Sequence, residues 1–405
     1  ATTNPQTRKT DRAMIRQILF LAGLFLCMPQ GGKSQPIDEL LQQIEQNNKS
    51  LQALRQENEA ARQEIRSQNN LEDPSVEYSP FYTKGTDGMS SSELVVSQGF
   101  DFPTRYAARR KSGRLQSEYL DRQYLVARRD LLLGARLQCL DLIRLNRTRE
   151  LLEARLRNAG ELLALFEKRL EEGDASILEV NKIRMERMNA TTELAQNESA
   201  RQQALAALQA MNGDQAVAFG VTEYPEAPAV GEYDRLRDEL LAAELEVQAS
   251  ESAVRAAGQE VRLNRQNWLP SLEVGYRRNT ALDEASNGFL VGASFPIFSN
   301  RHKSRMARAR YSAAQLRSEE VRLQADARIR AQYDELGRLQ ETMQTYDTAL
   351  MHTTLEMLRR AVEDGQLSVI EYYTEADGIY RNLQTLEELE NRYHALLAEL
   401  FRNSL

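Results

Sequence analysis

Apolar positions along this chain recur with two different periods, and the change from one to the other happens once in each half. Residues 37–69 and 233–267 keep the 3.6-residue spacing of a helix. Beyond Pro270 the spacing falls to 2. Leu272, Val274 and Tyr276 are set against Glu273, Gly275 and Arg277, then Phe289, Val291, Ala293 and Phe295 against Leu290, Gly292 and Ser294. The first half repeats this less cleanly, with Val76, Tyr78 and Tyr82 against Glu77, Ser79 and Phe81, then Leu94, Val96, Phe100 and Phe102 against Val95, Ser97 and Asp101. Each pair of runs predicts a β-hairpin, over 75–102 and 271–296, joined by the polar loops Thr83 to Ser91 and Asn279 to Asn287.

Prolines punctuate the same segments. After Pro36 they stand only at 74, 80, 103, 225, 228, 270 and 296, leaving two proline-free stretches of over 100 residues. Proline costs about 3 kcal/mol inside a helix, so both stretches can be helical throughout. Pro74 to Pro103 is 29 residues and Pro270 to Pro296 is 26, while Pro103 to Gly173 is 70 and Pro296 to Gly365 is 69. Around the glycines the chain reads Glu171-Glu172-Gly173-Asp174-Ala175-Ser176-Ile177-Leu178-Glu179 and Glu363-Asp364-Gly365-Gln366-Leu367-Ser368-Val369-Ile370-Glu371. The chain is two copies of one unit.

The first copy, 35–213, is expected to hold a helix over 37–69, the hairpin, a long helix over 104–172 and a return helix over 176–211. The second, 232–405, holds a helix over 233–267, its hairpin, a long helix over 301–364 and a return helix over 368–403. Residues 214–231, with Pro225 and Pro228, link them. Gly173 and Gly365 turn the chain, and Ser176 and Ser368 cap the returning helices.

A helix over 104–172 reaches about 100 Å at ~1.5 Å per residue, longer than a globular domain is wide. Strands of about nine residues with one apolar face match tilted membrane-spanning β-strands. Four cannot close on themselves. Open edges in lipid leave backbone groups unpaired at several kcal/mol each, so other copies of the chain must complete the barrel.

Composition agrees with long helices. At 41% hydrophobic and 27% charged, with Leu, Ala, Arg, Glu and Gln abundant, the 405 residues suit narrow apolar seams and i,i+4 charge pairs better than globular cores. Arg12 and Arg16 precede an apolar run from Ile18 to Met28, followed by Pro29, Gly31, Gly32 and Ser34, the layout of a cleaved signal peptide over 1–34. Leu26 before Cys27 departs from a lipobox, so lipidation is not expected. Without that segment Cys139 has no intrachain partner and is expected as a small buried hydrophobe. The net charge moves from -7 to -11, against a nucleic-acid partner.

The order helix, hairpin, very long helix, Gly-x-x-Ser turn and return helix, given twice, resembles the TolC-like outer-membrane efflux family over essentially the whole mature chain. Leu269-Pro270-Ser271-Leu272-Glu273-Val274, Phe295-Pro296-Ile297-Phe298, Leu208-Gln209-Ala210-Met211-Asn212-Gly213 and the two Gly-x-x-Ser-x-x-Glu turns carry the likeness. The resemblance implies a mainly α protein with a transmembrane β-barrel: four strands per chain, a homotrimeric twelve-stranded barrel, and an α-helical periplasmic tunnel. It implies a passive exit duct for small toxic molecules or metal ions, served by a periplasmic membrane-fusion adaptor and an inner-membrane pump of RND or ABC type. Type I protein secretion and a non-transport periplasmic coiled-coil scaffold are the alternatives. By the same resemblance Gly173, Ser176, Ile177, Gly365, Ser368 and Val369 form the adaptor-docking tips. Glu371 and Thr374 stand where the family's best-known member has two aspartates at its periplasmic constriction, and Thr374 breaks that pair.

One further cluster comes from the residues alone. Arg105, Arg109, Arg110 and Lys111 follow the first hairpin, and Arg301, Lys303, Arg305 and Arg308 the second, where cations oppose the helix dipole. Their place suggests contact with anionic lipid headgroups. No catalytic, zinc or phosphate-loop motif stands in the chain, so neither enzyme activity nor a cofactor is expected. Met185 with Met188, and Met351 with Met357, are expected as core packing.

Overall fold

A 70-residue helix, α3 (Pro103–Glu172), is the spine of the structure, a computed structural model that describes residues 36–405 apart from 86, 282, 283 and 299. The expected signal segment lies outside the described residues. Pro103 opens α3 where a missing N–H leaves no bond unmade, and Gly173 ends it in left-handed backbone at φ +83°. Before it come α1 (Ile37–Asn47), α2 (Lys49–Ser67), β1 (Ser75–Phe81) and β2 (Ser91–Phe100). After it come α4 (Ile177–Met211), α5 (Tyr233–Ala243), α6 (Leu245–Gln266), β3 (Ser271–Ala281), β4 (Glu284–Ser294), α7 (Lys303–Met343), α8 (Thr348–Glu363) and α9 (Val369–Leu400). Among the described residues no helix is long and apolar enough to cross a membrane.

Three expected helices are interrupted. Those over 37–69 and 233–267 each bend at one extended residue, Asn48 (ψ 119°) and Glu244 (ψ 110°). Asn48 accepts from the Leu51 amide at 3.0 Å and donates to the Met211 carbonyl at 2.9 Å. Glu244 accepts from Arg129 and Arg328, both at 2.7 Å, and from Asn403 at 3.2 Å. The helix over 301–364 is α7 and α8, separated at 344–347. Thr345, Tyr346 and Asp347 are weak helix formers, whereas the same place in the first copy holds Glu153, Ala154 and Arg155. Asp347 then starts α8 by accepting from the Leu350 amide at 2.9 Å.

The four strands form one antiparallel sheet in the order β1-β2-β3-β4. Pairing of β3 with β4 runs unbroken from Ser271 with Ser294 to Ala281 with Glu284. Residues 279–281 and 284–287, expected as loop, are therefore strand; the backbone ladder continues beyond the apolar band into polar side chains. Val76, Val96, Tyr276 and Phe289, one from each strand, lie side by side across the sheet. Tyr78 and Leu94, and Val274 and Val291, extend that face. The opposite face carries Glu77, Glu93, Ser97, Glu273 and Arg277, with Arg277 paired to Glu93 at 2.8 Å. Small Gly275, Gly288 and Gly292 also lie there. The outer edges of β1 and β4 have no strand partner among the described residues.

Helix α3 packs against α1, α2, α4, α6 and α9. Around its middle, Leu40 and Ile44 of α1 meet Cys139, Leu142, Ile143 and Leu208 in a fully buried core. Burial pushes the Cys139 thiol up to about 12, so it behaves as a hydrophobe. A second core, nearer Gly173, joins the end of α3 to α4, α8 and α9.

Candidate functional site

The two tips have matching backbone. Gly173 and Gly365 sit at φ +83° and +72°. Asp174 and Gln366 donate back to the carbonyls of Arg169 (2.7 Å) and Ala361 (2.8 Å), the six-to-one bond of a helix-ending turn. Ser176 then accepts from the Glu179 amide at 3.3 Å, and the Glu179 carboxylate accepts from the Ser176 amide at 2.8 Å. Ser368 and Glu371 repeat this at 3.2 and 3.1 Å. Each tip is thus a glycine turn locked to a capping box.

Their apolar residues differ. Ile177 and Leu178 are exposed at the first tip, but at the second Val369 is fully buried and Ile370 is the exposed one. Val369 therefore supports the tip from inside, in the core with Val362 and Tyr372. Glu371 is a capping residue, and the Ser368 hydroxyl and amide hold its carboxyl below the usual range. Thr374 is exposed and returns its hydroxyl to the Ile370 carbonyl at 2.8 Å.

The structure divides the eight cations of the cluster. Arg105 and Arg109 both pair with Asp101, a nearly buried carboxylate whose amide donates to the Tyr106 hydroxyl at 3.0 Å. Arg110, Lys111, Arg301, Lys303, Arg305 and Arg308 are exposed. Trp268, Phe295 and Phe298, at the same end of the sheet, are exposed aromatic side chains. Bilayer-spanning barrels carry aromatic girdles at such a level.

Two polar clusters were not foreseen in the sequence. Arg155 of α3 pairs with Glu186 and, at 3.2 Å, Glu193 of α4, and with Asp377 of α9 at 3.0 Å; its guanidinium lies 5.1 Å from the Tyr380 ring centre. Higher on the same helices, Arg147 pairs with Glu387 (2.8 Å) and Glu390 (2.6 Å) of α9, while Tyr224 of the linker stacks on His394 with ring centres 4.4 Å apart. Burial pushes Glu387 up to about 7 against the pull of Arg147, and burial together with Arg147 pushes His394 down to about 4. Only the excess of arginine and glutamate at helical spacing hinted at either cluster. Met185, Met188 and Met357, expected in a core, are exposed instead. Among the described residues no group of three or more His, Cys, Asp or Glu is placed to hold a metal ion.

Residues 40–214 and 236–402 match the model of a family described as outer membrane efflux protein. No curated protein sequence matches the chain. Among solved structures, a membrane protein from Pseudomonas aeruginosa superposes with a TM-score of 0.76 at 19% identity, covering 91% of this chain and 89% of that one. The outer membrane protein VceC from Vibrio cholerae gives 0.73 at 16% identity, over 90% of this chain and 95% of that one. The CmeC outer membrane channel of Campylobacter jejuni gives 0.72 at 12% identity, over 93% and 90%. The matched ranges stop on either side of the linker and take in one copy of the repeat each.

Proposed function

This chain belongs to the outer membrane efflux protein family, and on that premise we propose that it is the exit duct of a tripartite efflux system in a Gram-negative envelope. The observation that carries the reading is the sheet: an exposed apolar face, a polar opposite face, two free edges, and a 70-residue helix leaving one end. Free edges in lipid cost several kcal/mol for each unpaired group, so three chains join edge to edge into a twelve-stranded barrel, and their helices form the periplasmic tunnel.

The duct has no energy source of its own. An inner-membrane pump of RND or ABC type and a periplasmic adaptor deliver small toxic molecules or metal ions to it. The adaptor meets the tips at Ile177, Leu178 and Ile370, on turns shaped by Gly173, Ser176, Gly365 and Ser368. At the periplasmic constriction Glu371 places one ionised carboxylate per chain beside Thr374. Arg110, Lys111, Arg301, Lys303, Arg305 and Arg308 meet anionic headgroups; Arg105 and Arg109 stay with Asp101.

Complementation of a strain lacking the chain tests this. Wild type is expected to restore resistance, and a double Ile177→Asp, Ile370→Asp variant to assemble in the outer membrane without restoring it. Full resistance from the double variant overturns the docking assignment, and failure of the wild type to enter the outer membrane overturns the duct.

A further inference from the structure

The sheet parts two consecutive arginines. Arg277 turns to the polar face and pairs with Glu93 at 2.8 Å. Arg278 falls on the apolar face, is exposed, and has no ion-pair or hydrogen-bond partner among the described residues. Every carboxylate of the four strands, Glu77, Glu93, Glu273 and Glu284, lies on the polar face with Arg277. Arg278 is thus the one charged residue that the strands place on the apolar face, and nothing on that face neutralises it.

The neighbours of Arg278 fix its height. Leu272, Val274 and Tyr276 precede it at alternate positions of β3, which puts Arg278 about 20 Å along the strand from Leu272. Trp268, Phe295 and Phe298 mark the edge of the apolar band beside the helices, and Tyr78, Tyr82 and Tyr276, all exposed, mark the far edge. Arginine is costly at the midplane of a bilayer and nearly free at its interface, so the far edge tolerates Arg278. Directly across the β3–β4 pair stands Asn287, whose side-chain oxygen accepts from the Tyr276 hydroxyl at 2.8 Å. That bond occupies the oxygen and leaves the Asn287 amide N–H groups beside the guanidinium. In the next row Ser92 and Thr280 add two hydroxyls to the same face.

We propose that Arg278 and Asn287 form a site on the outside of the barrel for the headgroup phosphate of a phosphorylated glycolipid in the outer leaflet. This rests on the membrane-spanning reading of the sheet above and concerns the end of the barrel opposite the cluster of Arg110, Lys111 and Arg301. The guanidinium offers two parallel N–H donors that match two phosphate oxygens, and the Asn287 amide supplies a third. With every strand carboxylate on the other face, no like charge repels the anion. Below the two donors, Leu94, Val96 and Phe289 continue the same face and meet the acyl chains, which a free phosphate ion lacks. Each chain of the trimer carries one such site.

Native mass spectrometry of the purified trimer in detergent reads the site, with lipid A, phosphatidylethanolamine and inorganic phosphate as probes. Lipid A is expected to stay on the wild-type trimer where phosphatidylethanolamine does not. Arg278→Gln is expected to weaken that retention about tenfold, the loss of a charge-assisted hydrogen bond. Arg278→Lys keeps the charge without the fork and is expected to fall between, which still reads the site if the glutamine variant fails to assemble. Retention that neither Arg278 variant changes, or that only Arg110→Gln with Lys111→Gln abolishes, overturns the proposal and leaves the duct intact. Equal retention of phosphatidylethanolamine, or displacement of lipid A by millimolar inorganic phosphate, overturns the glycolipid assignment. A wild-type protein that purifies as a monomer overturns barrel and site together.

Discussion

Arg155 of α3 and Asp377 of α9 lie 3.0 Å apart, and through that pair the first copy of the repeat holds the second. Among the described residues Arg155 is the one cation paired with Glu186, whose side chain is 2% exposed. Breaking a buried pair from one side costs about 3–5 kcal/mol because the other charge is left uncompensated. Arg155→Ala is therefore expected to lower the melting temperature of the assembled protein clearly, with Arg155→Lys intermediate. Thermal melts followed by circular dichroism check it; an unchanged midpoint for Arg155→Ala contradicts the assignment.

The sheet gives a second expectation. Phe289 and Val291 lie mid-strand on the apolar face. Arginine on the lipid face near the bilayer midplane costs about 2–4 kcal/mol, whereas a polar change on the opposite face costs little. Phe289→Arg or Val291→Arg should reduce trimer recovered from outer membranes, and Glu77→Gln, at an exposed position on the other face, should not. Equal recovery of all three would mean that the apolar face does not meet lipid.

How much of this was legible depended on whether a feature is local. Period, proline spacing and the Gly-x-x-Ser turns lie within a few residues of the structure they set, and the duplication, hairpins and tips follow from them. The bends at Asn48 and Glu244 carry no glycine or proline; they are held by Met211 and by Arg129, far away in sequence. Asp101 is close in sequence to Arg105 and Arg109, but its burial does not show there, and it withdraws both from a cluster that reads as uniformly exposed. Val369 and Ile177 occupy equivalent positions in near-identical motifs, yet one is buried and the other not, because α9 packs on both α8 and α3 and Val369 falls in the core they share.

Glu387 and His394 predict a compensated pH response. Glu387 binds its proton more tightly folded than unfolded, so it adds stability as pH falls from about 7 toward 4.5. His394 is held neutral, so folding loses stability as pH falls from 6.5 toward about 4. The two oppose each other between pH 6.5 and 4.5, and the wild-type melting temperature should change little there on their account. His394→Phe should leave a protein that gains stability on acidification across that window, and Glu387→Gln one that loses it. Melts at pH 7 and 5 read both; parallel behaviour of the two variants would contradict the assignment.

At the tips, a Cβ on Gly173 or Gly365 would meet nothing within 4 Å, so the conformation alone selects glycine. Left-handed backbone costs a branched residue about 1–2 kcal/mol, and asparagine less. Gly173→Val with Gly365→Val is expected to abolish export while the trimer survives, and the matching asparagine pair to keep most of it. Antibiotic or metal sensitivity alongside gel-filtration size distinguishes these outcomes. Wild-type resistance from the valine pair would remove the tips from the export step.

The central claim is that three copies of this sheet enclose an aqueous pore in a bilayer. Purified protein reconstituted into planar lipid membranes measures it most directly. Discrete, salt-dependent conductance steps from a heat-modifiable trimer are the predicted result. A protein that leaves the cell in an osmotic wash as a monomer, and adds no conductance to the bilayer, would contradict it.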